Sequence, residues 1–306
     1  MQKIYQKTIS EKIDFRGIGL HSGIEVSLRI KPSQPNTGII FKRTDKKNNN
    51  IISADFQNVI DPVLCTKLEN KNGVSISTVE HLMAAFYGEG IDNALVEVDG
   101  PEIPIMDGSA VDFVDAIRSV GMEEQNELRK FIKVLKKVEV QDGKKFISIK
   151  PLKQDLIIDF ELVYNNPLIR TRRKEFKLSN DDLTAIYNSR TFCLYEDIDN
   201  IKRMGLAKGG SLDNAIVVQG EKILNENGLR NRHEFVYHKI LDCLGDIMLS
   251  GNRIFGHIKT SQGGHALTNK LLKKFFSDKS NWSFENFDKA DKQNQNSSEN
   301  SVAIGA

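Results

Sequence analysis

The segment HEFVYHKILDCLGDIMLS, residues 233–250, decides most of what this chain can be. Read as a helix, it sets His238, Asp242 and Asp246 four residues apart at each step. At about 3.6 residues per turn each step drifts only about 40° around the axis, so the three polar side chains share one stripe. Phe235, Val236, Ile240, Leu241, Leu244, Ile247 and Met248 hem that stripe in with apolar surface, which marks a core-facing helix. An imidazole and a carboxylate one turn apart on such a helix suit a divalent metal. A solvated acidic face is the plainer use of the pattern, and for an isolated His-x-x-x-Asp pair it is the better reading. Spacing also leaves Glu234, one turn before His238, level with Asp242 as a ligand.

A second segment far upstream shifts the balance. In Ser77-Thr78-Val79-Glu80-His81-Leu82, Ser77 is a good N-cap and Glu80 stands three residues later, as a capping box requires. Glu80 could serve only as that cap, and His81 only as packing. Side by side at the start of an apolar helix, they also offer a base next to a ligand. The zinc-protease patterns are absent: there is no HExxH, and the inverted HxxEH fails because Ser77 holds its first histidine position. A third histidine, His265, follows Gly263 and Gly264 where a glycine turn enters another amphipathic helix.

Composition bounds the remaining choices. With 306 residues, 39% hydrophobic and 27% charged, the chain is long enough for one large or two medium soluble domains. A net charge of +2 gives no reason to expect nucleic acid as a partner. No apolar run approaches transmembrane length and the N-terminus lacks a signal peptide's apolar stretch, so at most peripheral membrane contact is expected. Three scattered cysteines without a CxxC argue for a reducing cytoplasm and against a cysteine-rich zinc site.

Strand-period alternation over 24–30, 93–98 and 156–162, a turn at Gln141-Asp142-Gly143 and helical patterns over 109–120 and 179–187 organise the chain. The polar run 123–127 reads as a link between domains, and Asp107 as the N-cap of the helix at 109. Each half then runs strands, helix, strand, glycine turn and helix, although the halves share no evident identity. The expected fold is α+β: two similar domains, 1–125 and 126–285, each a two-layer sheet-and-helix sandwich, with the site between them. Facing helices would bring His81 beside His238. Residues 286–306 are too polar to bury much apolar surface and read as a disordered tail.

These motifs, together with Gly17-Ile18-Gly19-Leu20-His21-Ser22-Gly23, Leu64-Cys65-Thr66, Pro101-Glu102-Ile103-Pro104-Ile105-Met106-Asp107-Gly108-Ser109-Ala110, Arg190-Thr191-Phe192, Gly209-Gly210-Ser211 and Gly264-His265-Ala266-Leu267, occur in a specific order. From Thr8 to about Phe284 the chain resembles the UDP-3-O-acyl-N-acetylglucosamine deacetylases, zinc amidases that commit the pathway to lipid A. The resemblance implies one catalytic Zn2+, with Fe2+ as the alternative, held by His81, His238 and Asp242, and here it is the family that chooses Asp242 over Glu234. It implies Glu80 as general base, His265 as general acid with Asp246 on its ring, and Thr191 as donor to the developing oxyanion. It further implies substrate contacts from Lys239, Phe192 and His21, an acyl-chain passage lined by Ile198, Leu212 and Val217, and Cys65 as an extra ligand when zinc is in excess. The implied partner is a UDP-linked acylated amino sugar, and the implied state a monomer. A metallopeptidase would need one of the absent motifs, and a binding module with a structural metal would have no use for Glu80 and His265.

Overall fold

A computed structural model describes residues 4–286; the expected tail 286–306 lies outside the described residues except for Asn286, which ends the last strand. The chain opens with strands β1 (Tyr5–Ile9), β2 (Ile13–Ile18), β3 (Glu25–Pro32), β4 (Ile39–Arg43) and β5 (Ile51–Ser53). A small sheet follows, β6 (Val59–Ile60), β7 (Lys67–Glu69) and β8 (Ser75–Ile76), and then helix α1 (Glu80–Glu89), β9 (Ala94–Val98), helix α2 (Val111–Val120) and β10 (Met122–Leu128).

The second half begins with β11 (Lys130–Val134), β12 (Val138–Asp142), β13 (Lys145–Lys150), β14 (Leu156–Leu162) and β15 (Arg172–Lys177). An insert follows: α3 (Thr184–Tyr187), β16 (Phe192–Leu194), α4 (Ile198–Arg203), β17 (Ile216–Gln219) and β18 (Lys222–Ile223). Helix α5 (Glu234–Met248), β19 (Arg253–Ser261), α6 (His265–Ser277) and β20 (Trp282–Asn286) close the described chain.

The two halves carry one topology. In the first, the order is β2-β3-β9-β4-β5, with β9 antiparallel to β3 and parallel to β4. In the second, β12, β13, β19, β14 and β15 stand in the same order, and β19 is again antiparallel to β13 and parallel to β14. The outer ribbon repeats as well: β1 pairs antiparallel with β10, and β11 with β20. Each half also places a three-stranded insert between its fifth strand and its first long helix. The fold is therefore α+β, two similar sheet-and-helix units, as the element order implied.

Helices α1 and α5 are equivalent in this repeat, and they pack on each other. Residues Glu80 to Tyr87 of α1 are all buried, as are most of α5, so neither helix presents a solvent face. Their approach is close enough that a Cβ at Gly245 would lie 2.0 Å from the Glu80 carbonyl oxygen. Gly245→Ala must therefore force α5 away from the start of α1. Overpacking of this kind costs about 1–3 kcal/mol, which a urea titration would detect, and the shift should lower activity with it.

Four expectations change. The capping box does not form: Thr78 takes a φ of 58°, the chain turns ahead of α1, and Ser77 Oγ donates to the Pro101 carbonyl instead. The run 123–127 is not a link but part of β10, an exposed ribbon whose polarity reflects two wet faces. The helical pattern over 179–187 shrinks to α3, because Asp181 and Asp182 hydrogen-bond backbone amides in a turn before it. Asp107 accepts from Ser109 in a turn and pairs with Arg230, and α2 starts at Val111 without a side-chain cap.

Candidate active site

The face of α5 that meets α1 carries His238 and Asp242, and the first turn of α1 carries Glu80 and His81. The rings of His81 and His238 stand edge to face with centroids 5.0 Å apart. Oδ1 of Asp242 lies 3.6 Å from His81 Nε2 and 3.4 Å from His238 Nε2. Nδ1 of His238 sits 3.0 Å from the Ser189 carbonyl, so Nδ1–H donates there and the lone pair falls on Nε2. Burial pushes the His238 pKa down to about 3, which keeps the imidazole neutral. Burial would raise the Asp242 carboxyl, but the Lys239 ammonium beside it holds it well below the usual range.

These three residues fit a cation. Among the described residues the buried Oδ1 of Asp242 makes no hydrogen bond of ordinary length, its nearest polar neighbours being the two imidazole nitrogens, although leaving such an oxygen unpaired costs about 1–3 kcal/mol. Oδ2 is occupied, accepting from Lys239 Nζ at 2.8 Å. The ligand atoms of His81, His238 and Asp242 all lie within 4.8 Å of one another. Two nitrogens and one oxygen make three protein ligands, fewer than the four that close a structural metal site. Glu234 does not compete, for its fully buried carboxylate is taken by the Arg190 guanidinium at 2.8 Å and the Arg230 amide at 2.6 Å. A second group, Asp159, Glu175 and His257, has ligand spacing too, but Arg173 already forks onto Asp159.

Beside the triad lies a proton-handling cluster. Glu80 Oε2 accepts from the Thr66 amide at 3.0 Å, and its Oε1 stands 3.7 Å from His265 Nε2. His265 Nδ1 is 2.9 Å from Asp246 Oδ2 and 3.1 Å from Thr66 Oγ1, whose hydroxyl donates to Asp246 Oδ1 at 2.5 Å. Burial lowers the His265 pKa, yet the carboxylates of Asp246 and Glu80 outweigh it and push it up to about 10. Burial raises the Glu80 carboxyl above its ordinary range, against the pull of His265 and His81. One pocket thus holds a poised carboxyl and an imidazolium on opposite sides of one gap. Thr66 was quoted in the sequence only as part of a motif. Its link to residues so far along the chain leaves no local periodicity to read.

The same pocket is lined by His21, Thr78, Thr191 and Lys239. The Thr191 backbone is pinned from both sides, donating to Gly108 and accepting from Ile216, each at 2.8 Å. Phe192 stands behind the pocket, edge-on to Phe235 at 4.9 Å, with Lys239 Nζ 5.5 Å from its ring centre. Ile198, Leu212 and Val217 do not line this pocket. Ile198 begins α4 half-buried, Leu212 is 47% exposed, and Val217 is buried within β17. Cys65 is buried, which together with Glu80 pushes its thiol up to about 12.

The family model for UDP-3-O-acyl N-acetylglycosamine deacetylase matches residues 6–277. The chain belongs to this family. Curated relatives agree along nearly the whole length. The UDP-3-O-acyl-N-acetylglucosamine deacetylase of Pasteurella multocida (strain Pm70) is 45% identical over 293 residues, covering 95% of each chain. That of Actinobacillus succinogenes is 44% identical over 292 residues, 94% of this chain and 95% of its own. The Haemophilus influenzae (strain PittEE) protein is 43% identical over 288 residues, 93% of this chain and 94% of its own. Deacetylase chemistry on an amide is consistent with the arrangement of Glu80, His265 and the ligand triad. Among the described residues no helix is long and apolar enough to cross a membrane.

Proposed function

We propose that the chain hydrolyses the N-acetyl group of UDP-3-O-acyl-N-acetylglucosamine, releasing acetate and the free amine, the committed step of lipid A biosynthesis. Membership of the deacetylase family supports the reaction, and three free cysteines support a cytoplasmic setting. The observation that carries the site assignment is the buried Asp242 Oδ1 between two imidazole nitrogens. His81, His238 and Asp242 would hold one zinc ion. Bound there, the ion supplies Lewis acidity, acidifying water and polarising the acetyl carbonyl.

The protein's own groups divide the remaining work. Glu80, ionised, takes the proton of the attacking water; its raised pKa brings its basicity nearer neutral pH, where a general base is most effective. Thr191, whose backbone is fixed, offers its hydroxyl to the carbonyl oxygen as charge develops there. His265, kept cationic by Asp246 and Glu80, delivers a proton to the departing nitrogen, which leaves poorly as an anion. Asp246 and Thr66 hold the Nδ1 side of His265 so that Nε2 faces Glu80 and the pocket. Lys239 and His21 contact the polar part of the substrate, and Phe192 backs the sugar site. The insert carrying Ile198, Leu212 and Val217 receives the acyl chain, for which the exposed Leu212, Met204 and Tyr195 provide apolar surface.

An acetate-release assay on the UDP-linked substrate tests this reading. Activity should vanish on chelation and return with added Zn2+. Full turnover by the metal-stripped protein would remove the metal from the account.

A further inference from the structure

The carboxylate of Glu102 is fully buried, and its hydrogen bonds all come from neutral groups. Its partners are neutral donors from two parts of the first half. It accepts from the His21 amide at 2.9 Å, the Ser22 amide at 2.7 Å and the Thr78 hydroxyl at 2.7 Å. An uncompensated buried carboxylate is costly, and donors converging on it make it tolerable. The segment bearing it runs between both clients: Ser77 bridges to Glu102 on one side and Gly19 to Pro104 on the other.

Each client leads into the active site. Thr78, in its left-handed conformation, stands two residues before Glu80 and three before His81. The turn from Gly19 to Gly23 carries His21, whose Nδ1 accepts from the Ala207 amide at 3.4 Å. That contact puts the ring hydrogen on Nε2, which is buried, lines the pocket and makes no well-formed hydrogen bond among the described residues, although the Leu64 backbone lies within reach of the ring. The same turn accepts from Lys208 and Gly209 of the second insert, so it spans both halves at the pocket mouth. Gly19 leaves no room to relax: a Cβ there would lie 2.5 Å from Glu102 Oε2 and 2.3 Å from Ser22 Oγ.

We propose that Glu102 is a positioning residue for the deacetylation site, latching the His21 turn to Thr78 so that His21 Nε2–H is presented to an acceptor oxygen of the bound substrate. The inference rests on the deacetylase reading above. It assigns to Glu102 a role in substrate binding exerted through His21, distinct from metal binding and from the proton transfers.

The test is a double-mutant cycle on the metal-replete enzyme with the UDP-linked substrate, in which wild-type turnover separately checks the deacetylase reading. Glu102→Gln should raise KM by about tenfold, the equivalent of about one lost hydrogen bond to a charged group. It should leave kcat within about threefold and the metal content unchanged. In a His21→Ala background the same change should raise KM no further, because the two residues act through one contact. Gly19→Ala, which crowds the latch from the other side without removing the charge, should reproduce the KM effect should Glu102→Gln fail to fold. An unchanged KM in folded Glu102→Gln or Gly19→Ala protein overturns the proposal. So does a KM effect that multiplies fully with that of His21→Ala, since Glu102 would then act independently of that ring.

Discussion

Glu80→Gln is expected to keep its metal and lose turnover by roughly 10²–10⁴-fold, the usual contribution of a positioned general base. The amide is nearly isosteric, and Glu80 is not among the ligand atoms around Asp242 Oδ1, so the triad should stay intact. The residual activity should also lose its acid limb. In the native enzyme, activity should rise with pH as Glu80 ionises, and burial should place that rise above the ordinary glutamate range. Steady-state kinetics across pH, with metal content measured on the same samples, checks both parts. Loss of metal in Glu80→Gln would mean that Glu80 is a ligand.

The second large effect belongs to His265. As a general acid it must be protonated, so activity should fall as pH rises through its pKa. Asp246 and Glu80 offset its burial and push that pKa up to about 10, which sets the falling limb on the alkaline side. His265→Gln should cost roughly 10²–10⁴-fold in kcat/KM and flatten this limb. Asp246→Asn should instead shift the limb to lower pH, because a neutral amide stabilises an imidazolium less than a carboxylate does. An unmoved falling limb in metal-replete His265→Gln would transfer the acid role to another group, with Lys239 the nearest candidate.

What could be read before folding follows from the range of the interactions involved. The stripe on α5 is local: helical period alone put His238, Asp242 and Asp246 on one line, and they stand on one buried face. The internal repeat was legible as element order, and strand order and sense bear it out despite the divergence in sequence. The choice between Asp242 and Glu234 was not legible by spacing, since both lie one turn from His238. Arg190, distant in sequence, decides it by occupying Glu234.

The failures share this cause. Ser77 and Glu80 satisfy the local pattern for a capping box, but Thr66 supplies the Glu80 carboxylate with a nonlocal donor, and Thr78 turns the chain away. The β10 ribbon lacks an apolar face because neither of its faces is covered, so its composition resembled a linker. Thr66 and Glu102 organise the pocket through bonds to residues remote in the chain, which no periodicity encodes.

The central claim is that the two halves of the repeat each contribute to one metal site, His81 from α1 and His238 with Asp242 from α5. The metal-to-protein ratio of purified His81→Ala and His238→Ala, measured beside the wild type by elemental analysis, tests it most directly. The expected result is close to one zinc ion per wild-type chain and loss of most of it in both variants, with folding preserved by circular dichroism. Stoichiometric zinc in either folded variant would contradict the claim.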